Sequence, residues 1–236
     1  MEKATVLVEL VEELDKQRRQ FEMRQPAFQE THTVGADDYL YDVFISHPHD
    51  FSGEWVRYAF MPLFQRHLAG ALERAPEVFI DQQEISPGES WPLRLRVSLA
   101  HSRILVPFWS PSYLRSEWCR REYSVMRQRE KQLGHYTTQR KPGGLIAPIL
   151  IAGGTRLPLY PRQIPHLDLR DYFFQAVKVF LQSPKYLELE AQIRDWVQRL
   201  AQVIEWVPEW RAEWLDNLGE EEPALIQPFS YPPPAL

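Results

Sequence analysis

Apolar runs and amphipathic segments alternate through the middle of the chain. The short apolar runs predict five strands, at 40–46, 77–81, 103–108, 145–151 and 164–169. Apolar residues at intervals of three and four predict helices between them, over 51–72, 91–100 and 110–133. Strands that alternate with helices pair in parallel through right-handed crossovers, so we expect a doubly wound, five-stranded parallel α/β sheet.

Two prolines modify this pattern. Pro62 lies inside the first helical segment, which we expect to be interrupted or bent there, since proline lacks the N–H of a helical hydrogen bond. Pro165 lies in the last apolar run. A missing donor is tolerated at the edge of a sheet, so we expect this strand at an edge.

The pattern changes at both ends of the predicted sheet. We divide the chain into an amphipathic N-terminal helix at 1–28, the α/β domain at 39–180, a helical extension at 185–218 and a loose proline-rich tail at 219–236. One apolar stripe follows the extension through Leu189, Ile193, Trp196, Leu200, Val203 and Val207. It continues as an aromatic ladder at helical spacing, Trp206, Trp210 and Trp214. We expect the extension to pack on the domain, because an exposed stripe of this length would cause aggregation.

Composition narrows the class of protein. The net charge of -5 argues against a nucleic-acid partner bound by bulk electrostatics. The single cysteine, Cys119, excludes a disulfide within the chain, which suits the reducing cytoplasm. The longest apolar stretch, 145–152, is too short to cross a membrane, so we expect no membrane partner. The sequence has no glycine-rich phosphate loop and no Gly-x-Ser-x-Gly turn, which argues against dehydrogenases, NTPases and α/β-hydrolases.

Ligands of doubly wound sheets bind beyond the carboxyl ends of the strands, where the strand order reverses. Here that rule predicts a site built by the residues that follow Ser46, Asp81, Trp109 and Ile151. Ser46 and His47 lie at the tip of the first strand and are candidates for nucleotide contact. Asp81 ends the second strand, where it either orders a ribose or acts as a cap or turn residue.

A tryptophan and a glutamate after the third strand are the leading candidates for chemistry. Trp118 and Glu122 are four residues apart and therefore share one face of a helix. Ser116 is the expected N-cap, which puts this face close to the strand tips. The alternative is that Glu122 is a solvated helix residue paired with Arg129 or Arg115.

Other reactive side chains have simpler explanations. The segment His47-Pro48-His49-Asp50 contains metal-ligating residue types, but no cysteine or second histidine pair at suitable spacing completes a zinc set, so we expect no metal. Arg120 and Arg121 either attract a pyrophosphate or face solvent. Cys119 has no His or Asp in its local motif to activate it, so we interpret it as a small buried residue.

Three segments, taken together and in this order, carry a resemblance to a known family. The first is Tyr41-Asp42-Val43-Phe44-Ile45-Ser46-His47. The second is Phe79-Ile80-Asp81 with the loop Glu84-Ile85-Ser86-Pro87-Gly88-Glu89-Ser90-Trp91. The third contains Ser102-Arg103-Ile104-Leu105-Val106, Ser110, Tyr113-Leu114, Ser116 and Trp118-Cys119-Arg120-Arg121-Glu122. Together these segments resemble the TIR domain family of the bacterial type. The resemblance covers roughly Tyr39 to Leu169 and implies a flavodoxin-like fold.

The resemblance also implies an activity. Enzymes of the family break the nicotinamide–ribose bond of NAD, and the acid of the Trp-Cys-x-x-Glu segment, here Glu122, is their catalytic residue. We therefore expect NAD as the substrate, with no other cofactor. The residues expected to bind it are Ser46, His47, Asp81, Ser110 and Trp118. One carboxylate suffices, since nicotinamide leaves as a neutral molecule and the transition state resembles an oxocarbenium ion.

The resemblance implies assembly as well. In active family members the domains associate head to tail, and the loop after the second strand completes a neighbour's site. The residues expected to make this contact with a second copy or another TIR protein are Glu84, Ile85, Pro87, Gly88 and Trp91. The alternative function is that of a non-catalytic adaptor that recruits another TIR protein through this loop. Adaptors often lack the acid that Glu122 supplies.

Overall fold

The structure is a computed structural model that describes residues 38–50, 52–80, 93–133, 144–153, 165–173 and 176–216. The chain divides into two compact units, Met1–Ala36 and Asp37–Leu236, and every described residue belongs to the second. The predictions for the N-terminal helix at 1–28, the loop at 82–90 and the tail at 219–236 lie outside the described residues.

The described strands form one parallel sheet. They are β1, Tyr41–Ser46; β2, Val78–Ile80; β3, Ser102–Trp109; β4, Ile149–Leu150; and β5, Leu167–Asp168. Their order across the sheet is β2-β1-β3-β4-β5, and each neighbouring pair is parallel. The direction of progress reverses at β1, as in a flavodoxin-like doubly wound sheet. The predicted fold class is therefore confirmed.

The central strands β1 and β3 are buried on both faces. Val43, Phe44 and Ile45 of β1 are at most 1% exposed, and Arg103 is the one residue of β3 that is not buried. Helices on both sides of a parallel sheet exclude water from both faces, which is why these strands are continuous apolar runs in the sequence.

The outer strands β4 and β5 are much shorter than the apolar runs that predict them. In the run 145–151, only Ile149–Leu150 form the ladder, and Ile146 adds an isolated bridge to Leu105. In the run 164–169, the strand is Leu167–Asp168. It lies at the edge of the sheet, as the proline in this run predicts.

Helices connect and flank the strands. The α-helices in the described part of the chain are α1, Ser52–Trp55; α2, Met61–Ala71; α3, Leu93–Ala100; α4, Pro111–Arg115; α5, Glu117–Gln132; α6, Val177–Leu181; α7, Pro184–Trp206; and α8, Glu213–Asp216. A short 3-10 helix spans Arg170–Tyr172. Over the ranges that the structure describes, none of the helices has the length and apolar character needed to cross a membrane.

The helical segment after β1 is interrupted where the sequence predicts. A π-helical stretch, Val56–Phe60, joins α1 to α2, and the N–H of Met61 bonds to the carbonyl oxygen of Val56. Pro62 lies in the first turn of α2. Because Pro62 has no N–H to bond to the preceding turn, the wider π turn accommodates the missing donor.

Two serines divide the helical segment after β3. Ser110 caps α4 by accepting a hydrogen bond from the N–H of Tyr113 at 3.1 Å. Ser116 caps α5 by accepting one from the N–H of Cys119 at 3.4 Å, which confirms the predicted N-cap. The helical stretch predicted over 110–133 consists of two helices, because the backbone of Ser116 is extended and ends α4 before α5 begins.

The long helix α7 packs along α2. The centroid of the Trp196 ring lies 5.9 Å from that of Phe64 and 6.4 Å from that of Phe60. The buried stripe of α7 consists of Leu189, Ile193, Trp196, Val197, Leu200, Ala201 and Ile204. It departs from the predicted stripe at Val203, which is half-buried while the neighbouring Ile204 is fully buried.

The segment after α7 folds back against the domain. The indole N–H of Trp210 donates to the carbonyl oxygen of Ala100 at 3.1 Å. Trp214 is 2% exposed, and the guanidinium carbon of Arg129 lies 3.7 Å from its ring centroid. The predicted ladder of three tryptophans is wrong, because α7 ends at Trp206, which is 38% exposed, and non-helical residues follow.

The different burial of two tryptophans gives a test of this packing. Trp214→Ala removes a buried ring and its cation–π contact, so we expect the free energy of unfolding to fall by about 3–5 kcal/mol. Trp206→Ala is the control, and we expect a smaller loss because this ring is 38% exposed. Urea denaturation followed by circular dichroism measures both. Equal losses would contradict the described packing of the segment.

Candidate active site

Polar side chains meet beyond the carboxyl ends of β1 and β3. The strands β2 and β3 pair with opposite sides of β1, so the chain direction reverses here and a crevice is expected between the two strand ends. Ser46 is the last residue of β1, and Trp109 is the last residue of β3. From the helix α5, which follows β3, Glu122 reaches across to Ser46.

Glu122 is a buried carboxylate that is held by a hydroxyl group. The residue is 6% exposed, and Ser46 Oγ donates a hydrogen bond to Glu122 Oε2 at 2.5 Å. The hydroxyl of Tyr113 lies 3.0 Å from Ser46 Oγ and 3.1 Å from the carbonyl oxygen of Cys119. Ser46 has a single proton, and the carboxylate is its stronger acceptor. The Tyr113 proton is therefore donated either to Ser46 Oγ or to the Cys119 carbonyl.

The alternative of a solvated Glu122 paired with an arginine is wrong. The carboxylate is buried, and the side chain of Arg129 is directed elsewhere, to the Ser102 carbonyl at 2.9 Å and the Tyr39 hydroxyl at 2.6 Å. Arg115 is exposed. Burial of a carboxylate is costly, and groups buried at such cost in a crevice are typical of functional sites.

Trp118 lies one helical turn before Glu122 and is half-buried. The guanidinium carbon of Arg121 lies 5.4 Å from the centroid of its ring, and the same arginine pairs with Glu117 at 2.5 Å. Cys119 is 3% exposed, and burial, with a further contribution from the Glu122 carboxylate, raises the pKa of its thiol well above the usual range. Cys119 is therefore a buried side chain, as predicted, and poorly suited to be a nucleophile.

His47 follows Ser46 directly and is half-buried. Its Nδ1 lies 2.9 Å from the carbonyl oxygen of Pro48, which makes Nδ1 the protonated nitrogen of the ring. Burial is the main cause that lowers the pKa of His47 to about 4, and the charges of His49 and Arg57 lower it further. The imidazole is consequently neutral near pH 7.

The other predicted site residues divide into two groups. Ser110 is buried, and its hydroxyl caps α4, so the fold already accounts for this side chain. Six residues lie outside the described part of the chain, and their roles in binding and assembly stay predictions: Asp81, Glu84, Ile85, Pro87, Gly88 and Trp91. In the ranges that are described, no group of three or more His, Cys, Asp or Glu side chains is arranged to hold a metal ion.

Sequence reasoning missed two residues near the strand ends, Tyr113 and Arg57. Tyr113 is fully buried, and its spacing from the rest of the motif does not reveal that its hydroxyl contacts Ser46. The signal available in the sequence was the position of Tyr113, three residues after the helix-capping Ser110. Arg57 is the one charged residue in the otherwise apolar and aromatic segment Trp55–Phe60, and this was the signal for a cation near the tip of β1.

The strand order and the buried acid at the reversal define a flavodoxin-like α/β domain with a polar site at its switch point. A family model described as TIR domain matches residues 43–181. Because this match spans more than half of the chain, the chain belongs to the TIR domain family. A comparison with curated proteins gave no match.

Two solved structures illustrate what the chain is similar to. The TIR domain of the Toll-related receptor TRR-2 from the lower metazoan Hydra magnipapillata is 20% identical, with 65% of this chain and 98% of that chain covered and a TM-score of 0.35. The TIR domains of the activated Roq1 resistosome, which directly recognizes the pathogen effector XopQ, are 22% identical. This second match covers 70% of this chain and 84% of that chain, with a TM-score of 0.32.

The lowered pKa of His47 predicts a pH dependence of stability. In the unfolded chain the histidine has its ordinary pKa of 6.5, whereas in the fold its pKa is about 4. Between these values the unfolded state binds a proton that the folded state does not. This group therefore lowers the free energy of unfolding as the pH falls from 6.5 to 4, by up to about 1.4 kcal/mol per pH unit.

Urea denaturation at a series of pH values measures this effect. In His47→Asn the loss of stability over the same window should be smaller by that contribution. His49→Asn, which removes one of the smaller causes of the lowered pKa, should keep most of the native dependence, because burial of His47 is the main cause. An unchanged dependence in His47→Asn would contradict the burial of the imidazole.

Proposed function

We propose that this TIR domain is an enzyme that cleaves the nicotinamide–ribose bond of NAD, with Glu122 as its catalytic residue. The observation that supports the proposal most directly is the burial of Glu122 at the switch point, where Ser46 bonds to its carboxylate. A carboxylate held in place at a ligand-binding edge can stabilise positive charge as it develops, and requires little reorganisation to do so.

The chemistry requires few groups from the protein. When the bond between ribose C1′ and the nicotinamide nitrogen breaks, its electron pair returns to the nicotinamide, which leaves as a neutral molecule. The ribose passes through an oxocarbenium-like state, and the Glu122 carboxylate stabilises that charge. A water molecule then attacks C1′ and gives up a proton, for which Glu122 is the available base. Attack by a nitrogen of the substrate's own adenine would give a cyclic ADP-ribose instead.

Ser46 and Tyr113 are positioning residues in this proposal. The hydrogen bond from Ser46 fixes the carboxylate group, and the hydroxyl of Tyr113 links Ser46 to the backbone at Cys119. Since Ser46 belongs to β1 and Tyr113 to α4, the carboxylate is oriented by two elements besides its own helix. Such support restricts the rotamer of a catalytic side chain.

The remaining roles follow the family resemblance. Trp118 shapes the pocket for the nicotinamide ribose, and neutral His47 together with Asp81 and Ser110 lines it. The loop that contains Pro87 and Gly88 completes the site of a neighbouring copy or of another TIR protein. On the same basis we propose a bacterial defence effector or signal generator whose activity requires assembly.

Replacement of the carboxylate tests the enzyme and its residue together. Glu122→Gln keeps the shape of the side chain and removes the charge, so NAD cleavage should fall by about 100-fold or more. Glu130→Gln is the matched control, because Glu130 is equally buried on the same helix but pairs with Arg127, and it should keep most of the activity. Release of nicotinamide by concentrated protein with a crowding agent is the measurement.

The same experiment separates the enzyme from the adaptor. Equal cleavage by the native chain and Glu122→Gln would contradict the assignment of Glu122. If neither protein cleaved NAD under assembling conditions, the enzyme proposal would be wrong and the adaptor would replace it.

A requirement for assembly predicts a dependence on protein concentration. We expect turnover per mole of protein to rise about tenfold or more from dilute to concentrated or crowded solution, because association completes each site. Nicotinamide release measured beside sedimentation velocity tests this. Strong turnover in a sample that sediments as a monomer would exclude the requirement.

A further inference from the structure

A half-buried arginine with an unsatisfied guanidinium nitrogen lies near the tip of β1. Arg57 belongs to the π-helical stretch after α1, and its Nε is buried with no hydrogen-bond partner. Arg57 forms no hydrogen bond and no ion pair with any residue that the structure describes. Other arginines near the sheet are engaged: Arg74 with Asp42, and Arg129 with Tyr39. A desolvated guanidinium nitrogen is costly to leave unsatisfied, and π-helical turns frequently occur at functional sites.

The geometry connects Arg57 to the residues that hold Glu122. A Cβ added at Gly53 would lie 3.3 Å from Cε1 of His47, so the imidazole rests directly on this glycine. Arg57 follows Gly53 by four residues, and helical side chains lean towards the N-terminus of their helix. The spacing therefore places Arg57 on the helix face that Gly53 presents to His47. Its charge contributes to the lowered pKa of His47, after the larger effect of burial, which is consistent with this proximity.

The chemistry of a guanidinium defines the ligand. Arginine presents a planar fork of N–H donors and is the residue best suited to bind phosphate oxygens with two hydrogen bonds. A dinucleotide whose nicotinamide ribose lies against Glu122 has its diphosphate one sugar away. Ser46 bonds to Glu122, and His47 follows Ser46 in the chain. Arg57 lies beyond His47, so it is separated from the carboxylate as the diphosphate is separated from the reacting carbon of the ribose.

We propose that Arg57 binds the diphosphate of the dinucleotide substrate, with the imidazole of His47 and the bare backbone of Gly53 forming the floor beside it. The inference rests on the proposed function for the identity of the substrate. The site itself requires only a diphosphate ester. Arg57 is a binding residue in this arrangement and takes no part in bond cleavage.

Binding of ADP-ribose tests the subsite without any need for turnover. By calorimetry with the full chain, Arg57→Gln, which keeps most of the aliphatic stem, should raise the dissociation constant for ADP-ribose about tenfold or more. Arg57→Lys, which keeps the charge but loses the planar fork, should have a smaller effect. Arg66→Ala is the control, since Arg66 lies on α2, is exposed and pairs with Glu190, and it should bind as the native chain does.

Nicotinamide riboside, which has no phosphate, distinguishes a lost phosphate contact from general damage. Its affinity should be the same for the native chain and Arg57→Gln. The proposal would be overturned if Arg57→Gln bound ADP-ribose with native affinity, if it weakened both ligands equally, or if the native chain did not bind ADP-ribose.

The proposed cleavage is tested separately from the subsite. Glu122→Gln should fail to cleave NAD, and adding Arg57→Gln to it should still weaken its binding of ADP-ribose. If the native chain bound ADP-ribose through Arg57 yet left NAD intact under assembling conditions, the phosphate site would stand and the proposed enzyme would be wrong.

Discussion

The parallel pairing of β1 with β3 is the constraint on which the candidate site depends. Ladder contacts run from Tyr41 to Ser46 on one strand and from Ser102 to Pro107 on the other, so both strands end at the same edge of the sheet. The two strands are distant in sequence. The helices that follow them therefore bring side chains from separate parts of the chain to the carboxyl ends of β1 and β3. A shift of this register would move Ser46 away from α5 and leave the carboxylate of Glu122 buried without its hydroxyl donor.

Much of this architecture could be predicted because its signals are local. A strand that is buried on both faces must be apolar throughout, which identified β1 and β3. Ser116 could be recognised as a helix cap because its hydroxyl bonds only three residues ahead. Proline has no N–H in any structure, so Pro62 and Pro165 restrict the backbone hydrogen bonds of the segments that contain them. The sharing of one helix face by Trp118 and Glu122 followed from their spacing alone.

The remaining features depend on contacts between distant residues, which spacing does not encode. The sequence allowed Glu122 to be solvated, and its burial follows from packing against Ser46, 76 residues earlier. The prediction of a tryptophan ladder was wrong for the same reason. Trp214 packs against Arg129 of another helix and does not lie on a continuation of α7. The lengths of β4 and β5 are set by how many of their residues pair with the neighbouring strand. An apolar run in the sequence does not encode this pairing and therefore predicts strands that are too long.

The two opposite charges near this end of the sheet, the buried Glu122 and the half-buried Arg57, match the proposed ligand, which has both kinds of charge. In the proposed enzyme, the buried carboxylate of Glu122 has a use that offsets its cost of desolvation. The same holds for Arg57, whose Nε is buried with no partner. NAD has a cationic nicotinamide ring and an anionic diphosphate on opposite sides of one ribose. In this proposal, the cost of an unsatisfied guanidinium nitrogen at Arg57 in the free domain is recovered when such a ligand binds, which is a usual compromise between stability and function at binding sites.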